Sequence, residues 1–181
     1  MQPDLDCLFI HTPKADNHYL PLGDFFNITY MPMGLVALAN ILRVDGWRVE
    51  AAHAGVEWLE DPKTTIPMTY AGHTIRAIGI SLYWHYQSYD VIEVARAMKA
   101  AHPEAFTFLG GITAGYFADQ IVTEYSAVDG VLKGHAEGAL LALMEALEQG
   151  HPLGGVHGLV HLDDAGELRD NSKIPGLPHP P

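Results

Sequence analysis

Residues 75–82, Ile-Arg-Ala-Ile-Gly-Ile-Ser-Leu, are apolar at nearly every position, and nothing else in the chain restricts its fold as much. A strand with one wet face alternates polar and apolar residues. An unbroken apolar run suits a strand covered on both faces, as in a parallel sheet. Similar short runs occupy 5–11, 47–53, 106–109 and 128–132. Helical patterns lie between them. Pro32 and Gly34 open one with Leu35, Leu38, Ile41 and Leu42 on one side, and Gly46 stops it. Residues 89–101 place Val91, Val94, Ala95 and Met98 inward with Arg96 and Lys99 outward, before His102-Pro103 ends the helix. Residues 115–125 and 137–149 read as two more helices, the last closed by Gly150. Residues 54–74 read as irregular with a short helical turn. Residues 12–30 read as a loop rich in Pro, Gly, Asp and Asn, of a length uncommon unless functional or disordered. Strands alternating with helices predict an α/β, doubly wound (flavodoxin-like or Rossmann-like) fold. It has a five-stranded parallel sheet with helices on both faces, because crossovers are right-handed.

Past Gly150 the pattern changes. Residues 158–162 and 167–169, joined by a turn over 163–166, predict a β-hairpin, and the four prolines of 174–181 read as an interdomain linker. The expected organisation is a ligand-binding α/β domain over 1–150, then a hairpin and linker over 151–181 leading to a further domain. The chain's 181 residues fit one domain that needs no disulfide. The single cysteine, Cys7, lies in the apolar run 5–11 and reads as a small core residue, with a reducing cytoplasmic setting to match. A net charge of −12 with scattered Lys and Arg argues against nucleic acid and anionic membrane as partners. The N-terminus lacks a signal peptide's basic start, and no apolar run approaches the ~20 residues of a membrane span.

Open α/β sheets bind ligands at the carboxyl ends of their strands. There the chain places Thr12 and Pro13 after strand one, Ser81, Leu82, Tyr83, Trp84 and His85 after strand three, Gly110, Gly111, Ile112 and Thr113 after strand four, and Gly134, His135, Ala136 and Glu137 after strand five. These loops offer aromatics, hydroxyls and bare glycine backbone with little charge, which suits a large, flat, mostly apolar ligand with a polar tail. The common alternatives are missing their residues. There is no G-x-x-x-x-G-K-[ST] phosphate loop, no glycine follows strand one within His11-Thr12-Pro13-Lys14-Ala15-Asp16, and Ser81 stands where a phosphoacceptor aspartate belongs. The eleven histidines are dispersed. His157 and His161 are four apart but fall in the expected hairpin, which is a poor zinc geometry.

Several segments, taken in order, resemble the cobalamin (vitamin B12)-binding domain found ahead of radical-SAM catalytic domains. Residues 31–42 are similar to its P-x-G-L-x-x-L-A-x-x-L helix, Gly79-Ile80-Ser81 to its G-I-S strand end, Leu109-Gly110-Gly111 with Thr113 to its G-G-x-x-x-T turn, and 129–137 to its D-x-V-x-x-G-E-x-E segment. The threonine falls earlier here than in that turn. His135 replaces the usual first glutamate. Asp16-Asn17-His18 matches the start of the D-x-H-x-x-G motif of methionine-synthase-type domains, but Pro21 stands in place of its glycine. The radical-SAM relatives commonly lack that motif.

The resemblance implies a base-off cobalamin carrier, with Ser81 and Gly110-Gly111 at the nucleotide tail and Tyr83, Trp84 and His85 near the corrin. No residue is assigned as a cobalt ligand. It implies a parent enzyme that is a cobalamin-dependent methyltransferase using S-adenosylmethionine and a [4Fe-4S] cluster. With only Cys7, the chain lacks the three-cysteine motif for that cluster, so no catalytic residue is assigned and the catalytic domain is its expected partner. The alternative is a module of the same fold without cobalamin, serving substrate recognition or interdomain packing.

Overall fold

The computed structural model describes residues 3–13, 31–60 and 65–173. Seven strands form one sheet: β1 (Leu5–His11), β2 (Val49–His53), β3 (Ile75–Ser81), β4 (Phe106–Gly110), β5 (Gly130–Leu132), β6 (Leu159–Leu162) and β7 (Leu168–Asp170). Their order is β2-β1-β3-β4-β5-β6-β7. The first five are parallel, as expected. The hairpin β6–β7 forms, and it continues the same sheet by pairing antiparallel to β5. The sheet is therefore longer than the five strands read from the sequence. The order of the parallel part reverses between β1 and β3, so their carboxyl ends flank the crevice where such folds take ligands.

The helices are α1 (Met33–Val44), α2 (Ala54–Glu60), α3 (Ile66–Thr69), α4 (Ser88–Ala101), α5 (Ile112–Tyr116), α6 (Ala118–Glu124) and α7 (Ala136–Gln149). Helices α1 and α7 cover one face, burying Leu35, Leu42, Leu140 and Leu143 against Cys7, Phe9 and Phe108. Helices α3, α4 and α6 cover the other, burying Ile66, Val91, Met98 and Ile121 against Leu8, Ile78 and Leu109. Cys7 is fully buried, and burial pushes its thiol pKa up and leaves it inert.

Two segments differ from the sequence reading. Residues 115–125 are not one helix: Phe117, at φ −103° and ψ 20°, breaks it into α5 and α6, and α5 starts directly after Gly111. The stretch read as irregular holds α2 and α3, and α2 begins where His53 Nδ1 accepts from the backbone N–H groups of Gly55 and Val56. Residues 174–181 and Asp16, Asn17, His18 and Pro21 lie outside the described residues. Among the described residues, no helix is long and apolar enough to cross a membrane.

Candidate functional site

Alternate residues of a strand face the same side, so the parallel register writes the site as rows across the sheet. The last row is His11, Ser81, Gly110 and Leu132, neighbours in register from β1 through β3 and β4 to β5. The row beneath it is Phe9, Gly79, Phe108 and Gly130. A Cβ on Gly79 would stand 2.6 Å from the Phe108 ring and 2.9 Å from that of Phe9. Only glycine lets the two rings meet edge to face, with centroids 6.2 Å apart. They make an apolar floor under Ser81 and Gly110. Above the floor, a Cβ on Gly110 would meet no atom of the described residues within 4 Å.

The β1 end of the row is polar but buried. His11 is 4% exposed, and its Nδ1 lies 3.0 Å from Ser81 Oγ. Its ring packs edge to face on His53 at 4.8 Å. Burial first, and the neighbouring His53 second, lower the His11 pKa to about 4, so the imidazole is neutral at ordinary pH. Thr12 is buried, and among the described residues its Oγ1 has no hydrogen-bond partner. Pro13 packs against α2: a Cβ on Gly55 would fall 2.7 Å from the proline ring.

The two predicted glycines have different roles. Gly110 keeps the space above the sheet open. Gly111, at φ +111°, admits a backbone crossing instead, since a Cβ there would be 2.6 Å from the Leu82 carbonyl oxygen. That carbonyl accepts from the Ala114 N–H, and the Thr113 hydroxyl donates to the Tyr83 carbonyl at 2.8 Å. Leu82 and Thr113 therefore fasten the loop after β3 to α5. Gln87 fastens its other side: its amide nitrogen donates to the Thr12 carbonyl at 3.1 Å, and its amide oxygen accepts from the Trp84 N–H at 3.2 Å. Between these fastenings Tyr83, Trp84 and His85 are exposed, with the Tyr83 and Trp84 rings edge to face at 4.9 Å. Ile112, the first residue of α5, is 66% exposed.

At the β5 end, Gly134 takes φ +74° and His135 is the residue before α7, in extended backbone. Gly134, His135 and Glu137 are exposed, Ala136 is half-buried, and Glu137 lies in the first turn of α7. All four predicted loops thus lie along one sheet edge. His161 sits buried on β6 with its Nδ1 on the Leu162 carbonyl, engaged in the hairpin. Among the described residues, no three His, Cys, Asp or Glu side chains gather as a metal set. The sequence reading put His11 at the end of strand one without giving it a role, and passed over His53, Gln87 and the floor of Phe9 and Phe108. One signal for the floor is in the sequence, because a glycine inside an apolar strand marks close approach, and Gly79 is such a glycine.

The family model for the B12 binding domain matches residues 26–144. The chain is 29% identical over 140 residues to the hopanoid C-3 methylase of Methylococcus capsulatus, a match covering 75% of this chain and 26% of that protein. Its fold is similar to that of the radical S-adenosylmethionine methyltransferase TsrM of Kitasatospora setae, solved with cobalamin and a [4Fe-4S] cluster. The TM-score is 0.74 at 20% identity, covering 97% of this chain and 30% of that one. It is also similar to the cobalamin-dependent radical enzyme OxsB, solved with aqua-cobalamin and S-adenosylmethionine. There the TM-score is 0.67 at 17% identity, covering 93% of this chain and 22% of that one. The chain spans between about a fifth and a third of the length of these relatives.

Proposed function

The chain belongs to the B12 binding domain family, and from that premise we propose that it carries cobalamin base-off as one part of a cobalamin-dependent radical-SAM methyltransferase. The observation that carries this reading is the last row of the sheet. Gly110 leaves the surface open above an aromatic floor, and Ser81 supplies a hydroxyl beside it. That is a slot for a flat heteroaromatic base, apolar below with a hydrogen-bonding group at one side. The residues present fit the cofactor, and the buried Thr12 Oγ1, without a partner among the described residues, adds a polar group at the same edge.

In this reading Ser81 and Gly110 hold the nucleotide tail. Tyr83, Trp84, His85 and Ile112 offer apolar surface to the corrin. Thr12, Pro13, Gly134, His135, Ala136 and Glu137 form its rim. Leu82, Gly111 and Thr113 act through the loop backbone they fix. Bound cobalamin supplies a cobalt centre able to accept and donate a methyl group. The chain's own share would be to bind the tail through Ser81 and Gly110 and to present the bound cofactor to a second domain. We assign no protein ligand to cobalt. Residues 1–150 are the carrier, the hairpin within 151–181 extends its sheet, and the rest of that segment leads to a radical-SAM catalytic domain that holds S-adenosylmethionine and the [4Fe-4S] cluster, in the cytoplasm.

Incubating the 181-residue chain with hydroxocobalamin, followed by gel filtration, tests this. We expect one corrinoid per chain with a base-off absorbance spectrum. A chain that emerges colourless would leave the fold without its cofactor and return the alternative of a cobalamin-free module. A nitrogen splitting in the electron paramagnetic resonance spectrum of the Co(II) form, lost in His85→Ala, would overturn the missing axial ligand.

A further inference from the structure

His11 lies one register position from Ser81, is buried, and carries no charge near neutral pH. Its Nδ1 meets Ser81 Oγ at 3.0 Å, so one proton lies on this bond and its direction decides what Ser81 offers above Gly110. If Ser81 donates to His11, the hydroxyl presents only lone pairs to the open slot. If His11 donates to Ser81, the serine hydrogen is released toward it.

The surroundings of His11 hold its ring in place. His53 Nδ1 accepts from two backbone N–H groups of α2, at 3.2 and 3.3 Å, which puts the His53 proton on Nε2 and locks that ring. The His11 ring packs edge to face on the locked ring and so is held beside Ser81. Resting on the reading of the slot as the nucleotide-tail site, the chemistry of the occupant selects the direction. A benzimidazole released from cobalt carries an unprotonated ring nitrogen with a lone pair. Buried over the phenylalanine floor, that acceptor needs a donor. In the row His11, Ser81, Gly110, Leu132, the serine hydroxyl is the side-chain donor adjacent to the slot.

We propose that His11 is a positioning residue for the tail: it holds its proton on Nδ1, donates it to Ser81 Oγ, and so turns the Ser81 hydroxyl to donate to the tail's ring nitrogen. His11 itself does not touch the ligand. Its effect passes through Ser81 and concerns only ligands that possess a tail.

Two measurements on the full chain test this. Nitrogen-15 NMR of histidine-labelled apo protein should show His11 as the neutral Nδ1–H form. Absorbance titrations should compare hydroxocobalamin with cobinamide, the corrin lacking its nucleotide tail. His11→Phe and Ser81→Ala should each weaken cobalamin binding about tenfold, the effect of one lost hydrogen bond, and leave cobinamide binding unchanged. The double variant should lose no more than either single one, because both break the same bond. His11→Asn, whose amide can donate where Nδ1 did, should retain affinity within a few-fold. An Nε2–H form of His11, or equal losses for both corrinoids in His11→Phe, overturns the proposal while wild-type binding leaves the cofactor reading intact. A wild-type chain that binds neither corrinoid removes both.

Discussion

The two edges of the sheet treat polar groups in opposite ways. At the amino end, charges are closed on one another. Asp6 accepts from Arg48 at 2.9 Å and pairs with Arg76 at 3.4 Å, while Arg76 reaches Glu148 at 3.1 Å and lies over the Trp47 ring. Lys99 joins Asp129 at 2.7 Å and the Ala105 carbonyl at 2.9 Å. At the carboxyl end, His11 is held neutral by burial, and Thr12 Oγ1 finds no partner among the described residues, as His102 Nε2 finds none at the amino end. The glycine surface there is open, and several aromatics face outward. The first edge closes its charges in pairs. The second keeps exposed apolar area beside an open glycine surface, which costs stability unless something binds. Binding belongs to the edge the protein leaves incomplete.

Filling the open edge should produce the largest effect. Gly110 is not in the left-handed region, and no atom of the described residues lies near its Cβ position, so Gly110→Val should fold with little loss of stability. Its side chain would occupy the slot, and cobalamin affinity should fall by about a thousandfold, ~4 kcal/mol. Gly111→Val should behave differently. At φ +111°, and with the Leu82 carbonyl 2.6 Å from the new Cβ, it should cost about 1–3 kcal/mol of folding stability. Titration of each variant with hydroxocobalamin, beside urea unfolding, separates them. Normal binding by Gly110→Val would place the ligand elsewhere.

The edges also divide the pH scale. The His11 pKa is lowered to about 4 in the folded chain, whereas an unfolded histidine titrates near 6.5. Between those values the unfolded chain binds the proton and the folded chain does not, so stability falls as pH falls from about 6.5 to 4. The loss is roughly 3 kcal/mol, from a shift of ~2.5 units at 1.36 kcal/mol each. His102, also lowered by burial first and by His73 second, steepens the same limb. At the amino edge, burial pushes the Asp6 pKa upward, but its bonds to Arg48 outweigh that and hold it below the usual carboxylate range. The stability from Asp6 is present above the unfolded carboxylate pKa and is lost as pH falls through the lower folded one. Urea midpoints at pH 4 to 7.5 should show the histidine limb, flattened by about one proton in His11→Asn. An unaltered slope in that variant would mean His11 is not the group that resists protonation.

How much of this was legible in the sequence depends on how far away the partners lie. Runs such as 75–82 announce buried parallel strands because apolar character is a property of the run itself, and Ser81, Gly110 and Gly111 follow from knowing where strands end. The division of labour between the two glycines was not legible, since it depends on the Leu82 carbonyl arriving at one of them. His11 reaches Ser81 across 70 residues and Gln87 reaches Thr12 across 75, distances at which no local pattern speaks. The break at Phe117 went unseen because Gly115, two residues before it, reads equally well as the start of a single helix. Pairing of β6 with β5 went unseen because a hairpin's sequence specifies its own turn and not its neighbour in the sheet.

The smallest expected effect concerns the aromatic loop. Trp84 is 52% exposed, and its backbone is held by Gln87 while its ring packs edge to face on Tyr83 and parallel to Tyr86 at 6.4 Å. A half-exposed indole anchored through its backbone can be removed without opening the core, so Trp84→Ala should cost little stability. If the ring lies against the corrin, its loss should weaken binding about tenfold, ~1.4 kcal/mol, the worth of part of an aromatic contact. The corrin is common to cobalamin and cobinamide, so both should weaken alike, the opposite of the tail-selective loss expected at Ser81. A Trp84→Ala chain that binds both corrinoids with wild-type affinity, while Gly110→Val binds neither, would keep the slot as the site and remove the aromatic loop from it.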